Sequence, residues 1–205
     1  MAGLPRELLF SDERGVRRCW WCAATAQYVA YHDREWGFPT SGDIDLYEKV
    51  CLEGFQAGLS WLTILGKREN FRRAFLGFDF ERVARLNRRS IERLMGDAGI
   101  VRNRAKIEST LNNARRALEA RDEFGSLAEL FWQFAPEKLG RPAPAVTKTR
   151  ESTALSKALK QRGWTFVGPT TMHALMQSAG MVVDHIEGCA VREKALAARR
   201  AFLGT

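Results

Sequence analysis

Apolar positions along this chain recur at helical rather than strand spacing, in short runs divided by glycine, proline and capping residues. Asp43 or Asp45 can cap a helix that reaches about Ala57, with Leu46, Val50 and Ala57 on one stripe, and Ser60 can cap the next, through Lys67. Further helices are predicted from Phe71 to Leu76, Phe80 to Leu86, Ser90 to Leu94, Arg102 to Arg121, Ser126 to Phe134, Ser152 to Gln161, Pro169 to Ser178 and Arg192 to Phe202. Almost no segment alternates as a half-buried strand would, and no repeat or low-complexity tract occurs. The pattern predicts an all-α fold. Gly140-Arg-Pro-Ala-Pro-Ala145 is the clearest linker.

One residue breaks the pattern. On a helical projection Glu53 falls beside Leu46, Val50 and Ala57, at the edge of the buried stripe, and a buried carboxylate needs partners or a purpose. Aromatics crowd the same part of the chain: Trp20, Trp21, Tyr28, Tyr31, Trp36 and Trp61 all precede residue 62. Core packing accounts for most such residues. A pocket for an extruded, electron-poor base would also need flat aromatic faces and one carboxylate to accept from an exocyclic amine.

Potential metal ligands stand at opposite ends of the chain, Cys19 and His32 in one half-site and His185-x-x-x-Cys189 in the other. Two thiolates and two imidazoles would fill a zinc tetrahedron and leave no position for water or substrate, so such a metal would be structural. If one ion takes all four, it fastens the first structured segment to the last, which argues against independently folding halves on either side of the linker. Four buried or idle residues is the alternative. Cys19-Trp-Trp-Cys22 is also a C-x-x-C pair, ranked below the Cys/His/His/Cys set.

Thirty-two Lys and Arg against twenty-four Asp and Glu give a net charge of +8, which favours a polyanionic partner through phosphate contacts. Charge alone is weak, because many basic proteins never touch nucleic acid. Its placement is more telling. In Leu94-Met-Gly-Asp-Ala-Gly-Ile-Val-Arg-Asn-Arg-Ala-Lys-Ile107, Arg102, Arg104 and Lys106 cluster beside Gly96 and Gly99. That stretch looks like a helix-hairpin-helix, spanning about residues 90–121, whose glycines would let backbone amides approach a phosphate; an ordinary helix connection is the alternative. Lys148, Arg150, Lys157, Lys160 and Arg162 form a second basic stretch, which a solvated helix face would also explain. With four cysteines, no apolar leader and no run of the eighteen or so apolar residues a spanning helix needs, a soluble cytoplasmic protein is expected.

Several separate motifs then agree in order. Arg18-Cys-Trp-Trp21, Tyr28-Val-Ala-Tyr-His-Asp-Arg-Glu-Trp-Gly37, Cys51-Leu-Glu-Gly-Phe-Gln-Ala-Gly-Leu-Ser-Trp61 and Phe166-Val-Gly168 with Asp184-His185 resemble the 3-methyladenine DNA glycosylase I family, over roughly Arg18 to Cys189. The resemblance implies a helix-hairpin-helix glycosylase fold over residues 18–190, with residues 1–17 as an extension and 191–205 as a basic tail. It implies one structural zinc ion on Cys19, His32, His185 and Cys189, so that Cys22 drops out. Glu53 and Tyr31 would bind the edges of the flipped base and serve catalysis, Trp61 would stack on its face, and Trp21 and Tyr28 would complete the wall. Gly58 and Leu59 match the loop that enters the DNA at the lesion; Gly96, Gly99, Arg102 and Arg104 are expected as further DNA contacts from the hairpin pattern itself. The implied protein is a monomer acting on double-stranded alkylated DNA, with no membrane partner.

The implied chemistry is hydrolysis of an N-glycosidic bond, releasing 3-methyladenine. Methylation at N3 leaves the nucleotide purine cationic and a good leaving group, so little acid catalysis is needed and no lysine nucleophile carries over. Val183 stands where the family more often has asparagine, and His173 where tyrosine is common; the latter reads best as a packed core histidine. Two rivals differ in class. A non-catalytic zinc-stabilised DNA-binding module leaves Glu53 unexplained, and a zinc hydrolase would need an open coordination position that four protein ligands close.

Overall fold

The computed structural model describes residues 7–204; residues 1–6 of the N-terminal extension and Thr205 of the tail lie outside it. The described residues are mostly helical, as the spacing predicts, with one short two-stranded ribbon that it does not. β1 (Leu9–Ser11) pairs antiparallel with β2 (Arg17–Cys19), placing Leu9 opposite Cys19. A 3-10 turn at Trp20–Ala24 leads to α1 (Ala26–Arg34), which the pattern also misses. Thr25 caps it by accepting from the Tyr28 amide.

α2 (Asp43–Gln56) is the central helix. It begins at Asp43, but Gly42 rather than Asp43 or Asp45 is its N-cap and no side chain caps it. Its burial is not a stripe: every residue from Leu46 to Phe55 is buried, and Ala57 is its exposed C-cap. A helix hydrophobic on one face only would not sit there, and three charged residues travel into the interior with it. Glu48 is neutralised by Arg68 and Arg72, and Lys49 by Glu35. Glu53 has no basic residue in ion-pair contact among the described residues.

Around α2 lie α3 (Trp61–Gly66), capped by Ser60 as predicted, and α4 (Arg68–Ala74), which starts three residues before the predicted Phe71. After a tight turn, α5 (Phe80–Val83) and α6 (Arg88–Met95) precede the long α7 (Arg104–Phe124), capped by Asn103. α8 (Leu127–Trp132) packs on α2 and α7. The predicted linker then runs to α9 (Arg150–Gln161), which packs on α10 (Pro169–Ser178), itself against α2. α11 (Arg192–Leu203) closes the order. The main core gathers Tyr47, Phe55, Phe71, Phe75, Phe78, Phe131 and their aliphatic neighbours around α2 and α7. Among the described residues no helix is long and apolar enough to cross a membrane.

Candidate active site and metal centre

Cys19, His32, His185 and Cys189 meet in the interior, with their ligand atoms all within 4.8 Å of one another. The His32 Nε2 to His185 Nδ1 distance is 3.1 Å, Cys189 Sγ lies 3.5 Å from His32 Nε2 and 3.7 Å from His185 Nδ1, and Cys19 Sγ lies 3.9 Å from His185 Nδ1. A tetrahedral zinc with bonds of about 2.0–2.1 Å to nitrogen and about 2.3 Å to sulfur sets such edges at about 3.3–3.8 Å, so the donor set fits a cation of that size. The free ring nitrogens are fixed by their surroundings. His32 donates from Nδ1 to Asp33 at 2.7 Å, and Asp33 is held by Arg18; His185 donates from Nε2 to the Trp36 carbonyl at 2.9 Å. Both imidazoles thus present their other nitrogen to the centre, the support that metal-binding histidines need. Cys22 is buried close by and donates to the Cys19 carbonyl, outside the set of four. Gly37 is required here, because its φ is +83° and a Cβ would come 2.9 Å from His185 Nε2.

Beside this centre opens a cavity of about 250 Å³ lined by Trp21, Tyr28, Tyr31, Glu53 and Trp61, the five residues singled out for a base pocket. The structure therefore brings together side chains from the 3-10 turn, α1, α2 and α3. It adds Trp20, Trp36, Gln56, Pro144, Gln177 and Asp184. Pro144 belongs to the predicted linker, so that segment is also pocket wall. The aromatic faces tilt against one another: Trp21 lies 5.0 Å from Tyr28 and 4.8 Å from Trp36, and Tyr31 lies 5.4 Å from Trp61, centroid to centroid. Trp36 joins the two sites, packing edge-on at 4.7 Å against His185 while lining the pocket. Its signal in the sequence was only membership of the aromatic cluster.

Glu53 is 4% exposed, and burial pushes its pKa up to about 8, against the opposing pull of Lys49 and the Ser178 hydroxyl. Burial, with Glu53 next, also raises Tyr31 well above the ordinary tyrosine range and keeps it a neutral hydroxyl. One neutral donor and one carboxyl poised near neutrality, amid aromatic faces, can grip a flat heterocycle by its edges and respond to its charge.

Ala57, Gly58, Leu59 and Ser60 are exposed and lie in the chain between Gln56 and Trp61, both pocket residues, so this loop runs along the pocket rim. Leu59 is 43% exposed, which excludes ordinary core packing for it. Gly58 has φ +81° with open space around it.

The turn between α6 and α7 differs from the sequence expectation. Gly96 has an ordinary helical φ, and the Gly99 amide already donates to Asp97 at 2.7 Å, so neither supplies a free amide cradle of the kind the sequence suggested. Arg102 is exposed; Arg104 is exposed but engaged by Glu92. Lys106 is no surface charge at all: it is buried and points at backbone carbonyls. His173 is a buried core residue, as expected, though neither ring nitrogen makes a hydrogen bond among the described residues and Asp184 lies 3.9 Å from Nε2.

A family model for methyladenine glycosylases matches residues 21–193. The DNA-3-methyladenine glycosylase 1 of Escherichia coli (strain K12) is 43% identical over 184 residues, covering 85% of this chain and 96% of that protein. A crystal structure of a 3-methyladenine DNA glycosylase I superposes with a TM-score of 0.81 at 43% identity, over 84% of this chain and 98% of the other. A variant of such an enzyme solved in complex with 3-methyladenine also gives 0.81, at 33% identity, over 85% and 97%.

Proposed function

This chain belongs to the methyladenine glycosylase family, and on that footing we propose that it is a monofunctional DNA glycosylase, which flips 3-methyladenine out of alkylated DNA and hydrolyses its N-glycosidic bond. The observation that carries this reading is Glu53, a buried carboxyl without an ion pair inside an aromatic pocket beside an exposed apolar loop.

The substrate supplies the missing charge. N3-methylation leaves the nucleotide purine cationic, so its entry stabilises the Glu53 carboxylate, which accepts from the exocyclic amine. Tyr31 meets the other edge, Trp61 takes one face and gains a cation–π contribution, and Trp21 and Tyr28 close the wall. As the bond to C1′ breaks, the positive charge passes from purine to sugar and water attacks there; the base leaves neutral. Glu53 and Tyr31 are the catalytic residues in the sense that they touch the reacting base.

Leu59, presented by the φ of Gly58, fills the gap left by the flipped nucleotide and offsets part of the unstacking cost. A filled gap presupposes a paired partner strand, so duplex DNA is the natural substrate. Arg102, which is exposed, serves as a phosphate contact by charge, whereas Arg104 is taken up by Glu92. The first-turn amides of α10 have no side-chain cap. Both helical pairs, α6–α7 and α9–α10, are candidates for the helix-hairpin-helix element.

We assign zinc to the Cys/His centre. Two thiolates and two imidazoles suit it, and four protein ligands leave no position for a catalytic water, so its part is structural. It ties β2 and α1 to the segment before α11, which supports residues 18–190 as one unit. The four free cysteines agree with a reducing, cytoplasmic setting, and the protein acts as a monomer.

The test is release of free bases from methylated duplex DNA, separated by chromatography, with wild type and Trp61→Ala side by side and strand nicking scored. Release of 3-methyladenine but not 7-methylguanine, without nicking and lost in the variant, is the expected result. No release by folded, zinc-loaded protein would leave a DNA-binding module instead.

A further inference from the structure

Lys106 is a buried charge that the proposed chemistry does not use. It is 8% exposed, in the first turn of α7, and its ammonium donates to the Phe55 carbonyl at 2.8 Å and the Ala57 carbonyl at 2.5 Å. Burial pushes its pKa below the ordinary lysine range, and no carboxylate offsets that. A buried ammonium without a counter-ion is costly, and an unbranched apolar side chain would fill the same space at less cost. What Lys106 gains is the end of α2, where the last carbonyls have no partner within the helix and carry partial negative charge.

The remaining bonds at that helix end show how much depends on it. The Ala57 amide donates back to Gly54 and the Leu59 amide to Gln56 at 2.6 Å, so Lys106 supplies the acceptor satisfaction that the chain's own amides leave undone at Phe55 and Ala57. Lys106 is itself fixed, its amide donating to Asn103 and its carbonyl accepting from Thr110. A rigid support thus runs from the start of α7 to the two residues that precede Gly58 and Leu59 and flank Gln56.

We propose that Lys106 is a positioning residue for the loop that enters the DNA: it fixes the height and direction at which Gly58 and Leu59 leave α2. The proposal rests on the glycosylase reading and on the wedge role of Leu59. A loop whose anchor is loosened still has an intact pocket, but it loses the ability to hold a base pair open. Lys106 therefore matters when the lesion must be pulled out of a paired duplex, and matters little when it is already unpaired.

Single-turnover release of 3-methyladenine at saturating enzyme is measured for wild type, Leu59→Ala, Lys106→Met and the double variant, each with the lesion in a duplex and in a single strand. Binding of free 3-methyladenine reports the pocket. Lys106→Met should lose about 10–100-fold on the duplex, as a misplaced positioning element does, and stay within about threefold on the single strand and in free-base affinity. The double variant should be no worse on the duplex than the poorer single variant, because both changes disable one device. Lys106→Gln, a neutral donor of shorter reach, is run alongside in case the methionine variant does not fold, and should show a smaller loss of the same substrate pattern. Equal losses on both substrates, weakened free-base binding, or additive losses in the double variant would each overturn the proposal while wild-type release keeps the glycosylase reading. Absence of release by wild type would overturn both.

Discussion

The Lys49 ammonium, one helical turn before Glu53 on the same buried helix, is held by Glu35 at 2.7 Å and so makes no ion pair with Glu53. The cation that would ordinarily neutralise a buried carboxylate is present and committed elsewhere. Glu53 is thereby left to respond to whatever charge enters the pocket.

The first consequence is a pH profile. With its pKa pushed up to about 8, Glu53 is largely protonated in the free protein below that value and ionised above it. If the ionised form receives the cationic purine, kcat/KM on duplex DNA should rise from pH 6 to about pH 8 and then level. Glu53→Gln should flatten the profile and lower kcat/KM by about one to two orders of magnitude, the worth of a hydrogen bond to a charged group. A profile unchanged by the substitution, or full activity of the variant, would remove Glu53 from base recognition.

Stability should move the opposite way. Between the ordinary glutamate value of 4.5 and about 8 the folded protein holds a proton on Glu53 that the unfolded chain has lost, so this residue's contribution to stability falls as pH rises through that window. Denaturant unfolding of Glu53→Gln should therefore show a stability advantage over wild type that is small at pH 5 and grows to pH 8, on the order of a few kcal/mol. A constant difference across the range would mean that Glu53 is ionised throughout.

Metal content gives a third expectation. Elemental analysis should find about one zinc per chain, and Cys189→Ser should lower it and cost several kcal/mol of stability, as loss of a structural site does. Cobalt exchanged into the wild-type centre should give the intense visible bands of a tetrahedral site with thiolate ligands. Weak octahedral bands would mean an open, hydrated centre and would revive a catalytic role for the metal.

Gly37→Ala tests the wall between the two sites. The new Cβ would meet His185 Nε2 at 2.9 Å in a backbone with φ +83°, so the variant should lose about 1–3 kcal/mol and bind zinc about tenfold more weakly in competition with a chromophoric chelator. An unchanged zinc affinity would show that the Trp36 carbonyl alone orients His185.

The helices were legible because capping residues and apolar spacing are local: Ser60 and Pro169 mark their helices where the structure starts them. The pocket residues Glu53, Tyr31, Trp61, Trp21 and Tyr28 were legible as an anomaly among aromatics and by family resemblance. What escaped was whatever depends on tertiary placement. α2 reads as a half-buried helix because Glu48 and Lys49 are charged, yet partners from Glu35, Arg68 and Arg72 let it go under entirely. Lys106 reads as surface charge because nothing local reveals that α2 ends opposite it. Pro144 reads as linker because proline and alanine carry no sign of the cavity they border.

Because the two halves of the Cys/His centre come from opposite ends of the chain, a nascent chain emerging from the ribosome cannot assemble it until Cys189 has cleared the exit tunnel. A product cut short upstream of His185 holds half a donor set and lacks the His185 ring that packs against Trp36 at the pocket wall. The centre thus makes closure of the fold depend on the whole length of chain between its two half-sites.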